Sequence, residues 1–397
     1  MKSAPQPSIL REIAALFFRL GVTGFGGPAV TIAMIEDETV TRRKWLDRDR
    51  FLDLVGLTNI IPGPNAAELA IHLGYIRGGW AGFFLAGAGF ILPGVLCSLL
   101  LGIIYLHLGT LPAAGPFLQG IKPAVLAALL VAVGRLGQRA IKGWRLAVLG
   151  LAVLAASLAG GDEIALLFGG GILGMAWLLF ATRKRAEGQP AEKPPATPSK
   201  RRAWLLPIGS TIAALSPLTG GSVPLWQLGL FFLKIGSVLY GTGYVLIAFL
   251  EGGLVQNLKW LTYPQLLDAI AAGQLTPGPL TSTATFIGYI LRGFPGAAVA
   301  TLGMFLPSFA LVFLLTRFVP HFRRSRWLSA FLDAINVCSI GLMASAGIKL
   351  AFASVRDWHM ALIAVIAIVA ALRWKVNSAW LVLGGAVAGW LLSLLPF

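Results

Sequence analysis

Long apolar stretches without a charged position alternate with short polar segments along most of this chain. The run 85–106, LAGAGFILPGVLCSLLLGIIYL, contains no charged residue and can cross about 30 Å of hydrocarbon as a helix. Strands that alternate at barrel spacing are absent, so helices must do the spanning, and the pattern predicts an all-α polytopic membrane protein. Further apolar runs lie at 146–160, 163–181, 294–316, 328–348, 357–372 and 376–397.

The composition supports this interpretation and excludes several others. Only 12% of the residues are charged and 57% are hydrophobic, whereas soluble domains carry about 25% charged residues. The net charge is +16, and most Lys and Arg lie in short loops between apolar runs, which is typical of a polytopic membrane protein. No soluble basic domain exists to bind nucleic acid, so lipid is the expected partner. Cys97 and Cys338 lack His or acidic neighbours, so neither a metal nor another cofactor is expected.

Four segments interrupt the apolar runs with Gly and Pro. Proline lacks a backbone N–H and clashes with the preceding turn, so it breaks or kinks a helix. Non-helical backbone at membrane depth is tolerated only when it is buried in protein or lines a wet cavity. The four interruptions are TGFGGP (23–28), IPGPN (61–65), LYGTGY (239–244) and TPGPL (276–280).

The chain also contains an internal repeat, with two copies of one unit. A shift of 215 aligns Gly26 with Gly241 and Pro62-Gly63-Pro64 with Pro277-Gly278-Pro279, and a shift of 214 then aligns the following glycines. Between the copies lie a polar segment with many cations and prolines and one unpaired apolar segment. The predicted organisation is a first repeat at 1–181, a cytoplasmic linker at 182–202, an extra transmembrane segment at 203–220 and a second repeat at 221–397.

Loop charges predict that the two repeats have opposite orientations. Loop 36–50 carries five cations while its counterpart 251–265 has only Lys259, and the bias is reversed between 106–115 and 317–326. A consistent topology requires two re-entrant helical hairpins and about four transmembrane helices per repeat. The N-terminus and linker are then cytoplasmic, and the C-terminus lies outside.

Inverted repeats with interrupted helices predict a binding site near the midplane. Each interruption frees N–H groups at the start of the next helix, where about half a positive charge resides, so four converging ends sum to about +2 and suit a dianion. The alternative is that Gly and Pro serve only packing and kinks. The candidate binding residues are Gly26, Gly27, Asn59, Pro62, Gly63, Pro64, Asn65, Gly241, Thr242, Thr276, Pro277, Gly278, Pro279, Thr281 and Ser282.

Charged residues at matched positions are candidates for the transport pathway. Arg19 and Lys234 precede the first interruption of each repeat and either mark an anion pathway or snorkel to the headgroups. The matched acids either carry protons or close a gate, or they cap hairpin helices at the membrane surface. Glu68 and His72 occur only in the first repeat, where they either make the site asymmetric or occupy ordinary solvated or packed positions. The matched acids are Glu36 with Glu251 and Asp53 with Asp268.

The motifs Phe18…Gly21…Phe25-Gly26-Gly27 and Pro62-Gly63-Pro64, with Gly241 and Pro277-Gly278-Pro279 in the second copy, resemble the chromate ion transporter family. The resemblance covers nearly the whole chain and points to the long-chain type with two homologous halves. It implies a multi-pass protein of the bacterial inner membrane that exports chromate from the cytoplasm, with sulfate as a close mimic. It also implies a site at the matching Gly26, Gly27 and Pro62-Gly63-Pro64. The second copy departs from the motif, since Thr242 and Gly243 replace Gly27 and Pro28.

The function predicted from these observations is secondary transport of chromate, or a related tetrahedral oxyanion such as sulfate, out across the inner membrane. An oxyanion channel and a sulfate uptake carrier remain open as alternative functions. Assembly of the chain as a homodimer also remains open. A membrane enzyme is disfavoured, because no loop assembles a nucleophile, a base and a metal set.

Overall fold

The computed structural model describes residues 7–25, 27–108, 115–186, 223–241, 243–315, 326–354, 357–374 and 376–394. Within these ranges all regular structure is helical, as the apolar runs predicted. The helices are α1 Pro7–Thr23, α2 Pro28–Glu36, α3 Arg48–Thr58, α4 Asn65–Leu108, α5 Gly115–Ala140, α6 Trp144–Leu158, α7 Glu163–Ala186, α8 Leu225–Val238, α9 Val245–Leu250, α10 Tyr263–Leu275, α11 Thr283–Leu315, α12 Arg326–Ser354, α13 Trp358–Arg373 and α14 Ser378–Ser393.

Several helices begin at residues whose chemistry favours a start. The Asp47 carboxylate caps α3 by accepting a hydrogen bond from the backbone N–H of Arg50 at 2.7 Å. Thr262 caps α10 in a capping box with Gln265. Positions 47 and 262 are 215 apart, so corresponding helices of the two halves start with equivalent caps.

The helices that lead into the interruptions are short. α1 has 17 residues, α3 has 11, α8 has 14 and α10 has 13. At about 1.5 Å per residue they extend roughly 16–26 Å, which is less than the ~30 Å of a bilayer core. None of these four helices is therefore long enough to cross a membrane alone.

The long helices α4 and α11 each fold back on themselves near their N-termini. The backbone leaves the helical region at Gly78 and Gly79 in α4, and at Arg292 and Gly293 in α11. Gly79 and Gly293 have φ of +59° and +62°, which only glycine adopts readily. The result is a short arm before each bend, 65–77 and 283–291, packed against the long helix that follows.

Glycine makes this fold-back possible, because a side chain would separate the two arms. A Cβ on Gly74 would overlap the backbone of Gly82, and a Cβ on Gly288 would overlap the backbone of Gly296. Eight residues of straight helix would separate these positions by about 12 Å, so the close approach requires the bend.

The two halves share further unusual local geometry at corresponding positions. α2 continues into a π-helical turn at Asp37–Arg42, and α9 continues into one at Glu251–Asn257. Lys44 and Lys259, which are 215 apart, have positive φ of 50° and 54°. These departures from standard geometry recur with the spacing found in the sequence.

Five of the described helices are long and apolar enough to cross a membrane, and several of them carry large apolar side chains on the outside of the molecule. Leu173, Phe180 and Phe352, for example, are 70%, 68% and 85% exposed. Such an apolar exterior is suited to lipid. The chain is therefore a multi-pass helical membrane protein.

The region between the halves lies largely outside the described residues, including the predicted extra segment 203–220 and the part of the linker after 186. α7 continues to Ala186, into the segment predicted as linker from 182. The halves interlock elsewhere: α12 packs against α5, α6 and α7, and α14 packs against α5 through Gly120 and Gly389.

Candidate functional site

All four predicted interruptions meet at one cavity in the interior of the protein. The cavity encloses roughly 770 Å³ including its opening. Each of the four segments contributes three or four residues to the wall, and neighbouring helices complete it. The lining residues are Gly24, Phe25, Gly27, Thr31, Gly63, Pro64, Asn65, Ala66, Phe90, Gly241, Gly243, Tyr244, Gly273, Gln274, Thr276, Gly278, Pro279, Leu280, Thr281 and Ser378.

Backbone hydrogen bonds join the interruptions of one half to those of the other. The Gly63 N–H donates to the Leu239 carbonyl at 2.8 Å, and the Gly278 N–H donates to the Gly24 carbonyl at 3.1 Å. Both donors and both acceptors are 215 positions apart, so the two bonds are equivalent. Each second interruption is thus held by the first interruption of the opposite half.

Helix N-termini surround this cavity. Gly27 precedes α2, Asn65 begins α4, Tyr244 precedes α9 and Leu280 begins the 3₁₀ turn that leads into α11, and all four line the wall. The first N–H groups of a helix have no partner within it and carry about half a positive charge. The convergence places backbone donors on several sides of one small volume.

Two buried side chains on the cavity wall have polar atoms without a partner. Both amide atoms of Gln274 and the hydroxyl of Thr281 form no hydrogen bond within the described part of the chain. Gln274 is 6% exposed and Thr281 is fully buried. Buried polar groups are normally paired, so these groups are suited to a ligand or water in the cavity.

The candidate residues fall into three sets. Most line the cavity, namely Gly27, Gly63, Pro64, Asn65, Gly241, Thr276, Gly278, Pro279 and Thr281. Others lie beside it: Pro62, Pro277, Ser282, whose hydroxyl donates to the Pro279 carbonyl, and Asn59, which accepts a hydrogen bond from the Asn65 amide at 2.7 Å. Gly26 and Thr242 lie outside the described residues.

The two matched cations have different surroundings. Arg19 pairs with Glu38, an acid of the π-helical turn that also pairs with Arg42 and Arg43. Lys234 is exposed. The two matched cations therefore lie in different electrostatic environments, although their positions in the two halves correspond.

The expectation that the matched acids cap hairpin helices is wrong, because Asp47 and Thr262 are the N-caps of α3 and α10. Glu36 pairs with Arg48 at 3.2 Å, and Asp53 is exposed within α3. The other two acids, Glu251 and Asp268, are buried by tertiary packing that sequence spacing does not reveal.

Glu251 is 1% exposed and pairs with Lys349 of α12 at 3.3 Å. The same carboxylate accepts hydrogen bonds from the Gln256 amide and the Tyr263 hydroxyl. Asp268 accepts a hydrogen bond from the Tyr105 hydroxyl at 3.1 Å. Both acids thus tie neighbouring elements together inside the protein.

Basic residues at the end of α5 and just after it line two cavities beside the central one. Arg135 and Arg139 line the first, which shares Gly27 and Tyr244 with the central cavity. Arg139 and Lys142 line the second, which shares Gly241. We call Arg135, Arg139 and Lys142 the basic vestibule. A spacing of four along α5 could have indicated that Arg135 and Arg139 share one face.

A cavity enclosed by interrupted helices of a multi-pass protein has the construction of a membrane transporter. The chain belongs to the chromate transporter family, because the sequence model of that family matches it twice, at residues 11–175 and 226–390. The two matched segments begin 215 positions apart, which is the spacing found in the sequence. Membership indicates a role in chromate transport across a membrane rather than in catalysis.

Similar proteins cover nearly the full chain. A chromate transport protein of Cupriavidus metallidurans is 32% identical over 95% of this chain and 91% of its own length. A chromate transport protein of Pseudomonas aeruginosa is 29% identical over 98% and 94%. An uncharacterized transporter of Methanocaldococcus jannaschii is 29% identical over 99% and 96%. No solved structure matches the chain.

Proposed function

We propose that this protein is a secondary carrier that exports chromate, or a related tetrahedral oxyanion such as sulfate, from the cytoplasm. The observation that carries the proposal is the meeting of all four interruptions at one cavity. The donors there are backbone N–H groups, hydroxyls and amides, which suit an oxyanion better than a cation. Four half charges would sum to about +2, which matches a dianion on a crude count.

The two halves are proposed to span the membrane in opposite directions. Under the 214 shift, α5 of the first half corresponds to α12 of the second. Lys142, just after the end of α5, lies 2.8 Å from Asp333 near the start of α12. Corresponding helices therefore meet end to start, which supports an inverted pair. Each half would contribute two re-entrant hairpins, with their tips at the cavity.

The basic vestibule supports export as the direction. The end of α5 and the residues that follow it, 135–145, are cytoplasmic under the positive-inside rule. The cavities that these residues line would therefore open toward the cytoplasm. A cleft lined by cations raises the local concentration of anions and their rate of binding. Export of a dianion from a negative-inside cell is favoured by about 4.6 kcal/mol per 100 mV.

The decisive experiment measures radiolabelled sulfate and chromate uptake into inverted membrane vesicles. We expect saturable uptake of chromate, inhibited by sulfate, and exchange of internal for external anion. Failure of chromate either to be transported or to inhibit would overturn the substrate. Ohmic single-channel current without exchange would replace the carrier with a channel. Accumulation only in right-side-out vesicles would favour a sulfate uptake carrier.

The site is tested with two threonines one turn apart. Thr281→Val removes an unpartnered hydroxyl from the cavity wall and should weaken anion binding. Thr285→Val is the control, because the Thr285 hydroxyl lies outside the cavity and is hydrogen-bonded to Thr301 at 2.7 Å. Equal losses of flux in the two variants would show that the anion does not bind at the Thr281 side of this cavity.

The inverted topology is tested with Lys44 and Lys259, which are exposed and occupy corresponding loops. Single cysteines at these positions, in a chain whose Cys97 and Cys338 are replaced by alanine, are treated with an impermeant thiol reagent. Lys44→Cys should be labelled from the cytoplasmic side and Lys259→Cys from the outside. Labelling of both from one side would refute the inversion.

A further inference from the structure

One buried acid beside the cavity has no role in anion binding by N–H groups. Glu68 lies in the first turn of α4, three residues after the cavity-lining Asn65, and is fully buried. Neither carboxyl oxygen has a well-formed hydrogen bond within the described part of the chain, and Glu68 forms no ion pair there. Every other buried acid described above has a basic or hydroxyl partner.

Among the residues that the structure describes, the groups that face Glu68 supply no fixed positive charge. Ser308 of α11 approaches it, with the Ser308 hydroxyl and the carboxyl converging on Gly63. Tyr240, in the first interruption of the second half, also lies within electrostatic reach. His72, one turn along α4, is 2% exposed and its Nε2 atom is unpartnered within the described residues. An isolated carboxylate in such surroundings is very costly, so the neutral acid is the stable form.

Gly63 connects this acid to the cavity. Gly63 lines the cavity wall, and a Cβ on it would overlap the Glu68 Oε1 atom. The carboxyl therefore lies directly behind the wall at a converging helix N-terminus. A charged Glu68 would repel a dianion in the cavity, and a proton on Glu68 would remove that repulsion. By reciprocity, the anion in turn strengthens proton binding.

We propose that Glu68 is a proton-binding site and that the protein moves one proton together with each oxyanion. The inference rests on the proposed function, because it takes the cavity as the anion site. The shifts of 215 and 214 place Glu68 opposite Thr283 and Ser282 respectively, and neither of these residues is an acid. Only one half thus carries an acid here, so the stoichiometry is one proton per dianion. The translocated complex then carries one net negative charge, and the membrane potential still favours its exit.

The test uses the full chain in liposomes, with sulfate as the probe because it stays a dianion across the working pH range. A pH dye inside the vesicles follows protons while radiolabelled sulfate is counted. We expect sulfate and proton fluxes in the same direction in the unmodified protein. Glu68→Gln should keep sulfate exchange and lose proton movement, and its exchange rate should no longer depend on pH. Glu68→Asp should restore coupling.

Ser308→Ala is the matched control, since it changes the same spot without removing a titratable group, and it should remain coupled. Unchanged proton movement in Glu68→Gln would overturn the proposal. The reversal potential of the unmodified protein gives an independent decision if Glu68→Gln fails to fold. One net charge per sulfate supports the proton site, and two charges refute it. Absence of any saturable sulfate or chromate flux would instead refute the carrier function itself.

Discussion

Replacing Gly63 with alanine should damage the protein much more than the same change at its counterpart Gly278. Both glycines have positive φ, +145° and +83°, so alanine is strained at either position by about 1–3 kcal/mol. Their surroundings differ. A Cβ on Gly278 would find its nearest atoms at 3.6 and 3.7 Å, in ordinary contact. A Cβ on Gly63 would overlap both the Glu68 carboxyl and the Ser308 hydroxyl.

The extra cost at Gly63 is that of forcing a group into a filled site, about 1–3 kcal/mol. Such a difference changes an equilibrium by roughly 5–150-fold. The Gly63 N–H also donates a hydrogen bond to the Leu239 carbonyl of the other half. Displacement of the interruption at 61–65 should therefore disturb the cavity as well as lower stability. Anion exchange should therefore be lost in Gly63→Ala and retained, although reduced, in Gly278→Ala.

The assay follows denaturant unfolding of the detergent-solubilised variants by tryptophan fluorescence, alongside sulfate exchange in liposomes. Ser308→Gly provides a second comparison, because the corresponding position of the first half is Gly94. Adding Ser308→Gly to Gly63→Ala should recover part of the loss relative to Ser308→Gly alone. Equal losses for Gly63→Ala and Gly278→Ala, or no recovery in the double variant, would refute the steric argument.

Three other predictions concern charges and donors. Arg139→Gln should raise the KM for the anion severalfold with little change in maximal rate, because the basic vestibule attracts anions. It should also weaken the dependence of the KM on salt concentration. Gln138→Ala, at the neighbouring residue, is the control and should change neither the KM nor its salt dependence. Lys349→Met should lower the free energy of unfolding by about 3–5 kcal/mol, since it leaves the charge of Glu251 buried and without its Lys partner. In denaturant unfolding, adding Glu251→Gln should recover most of the lost stability. Gln274→Leu should weaken sulfate binding by roughly tenfold or more in equilibrium binding, as expected for a lost hydrogen bond to an anion; unchanged affinity would exclude Gln274 as a ligand.

The helical membrane class was predictable because its causes are local. An apolar run of about 20 residues suffices to specify a spanning helix, and proline interrupts a helix wherever it stands. The caps were less predictable. The acids Glu36 and Glu251 were candidates by matched position, yet Asp47 and Thr262 cap the helices, because a cap must stand just before the first helical turn.

Matched sequence did not predict matched electrostatics either. Arg19 and Lys234 align, and Arg19 pairs with the buried Glu38, whereas the position that aligns with Glu38 in the second half is Gly253. Asp53 and Asp268 also align, but one is exposed and the other is covered by Tyr105. Burial depends on what packs against a position, and the two halves have different neighbours.

The order of apolar runs, the four interruptions and their 215-residue spacing follow from the amino-acid sequence alone, because each depends on residues close together in the chain. The meeting of those interruptions depends on contacts across most of the chain's length. The bonds from Gly63 to Leu239 and from Gly278 to Gly24 join positions that no local rule connects. The isolation of Glu68 behind Gly63 likewise arises only when α4 and α11 pack together, since the burial of a charge is a property of all its neighbours.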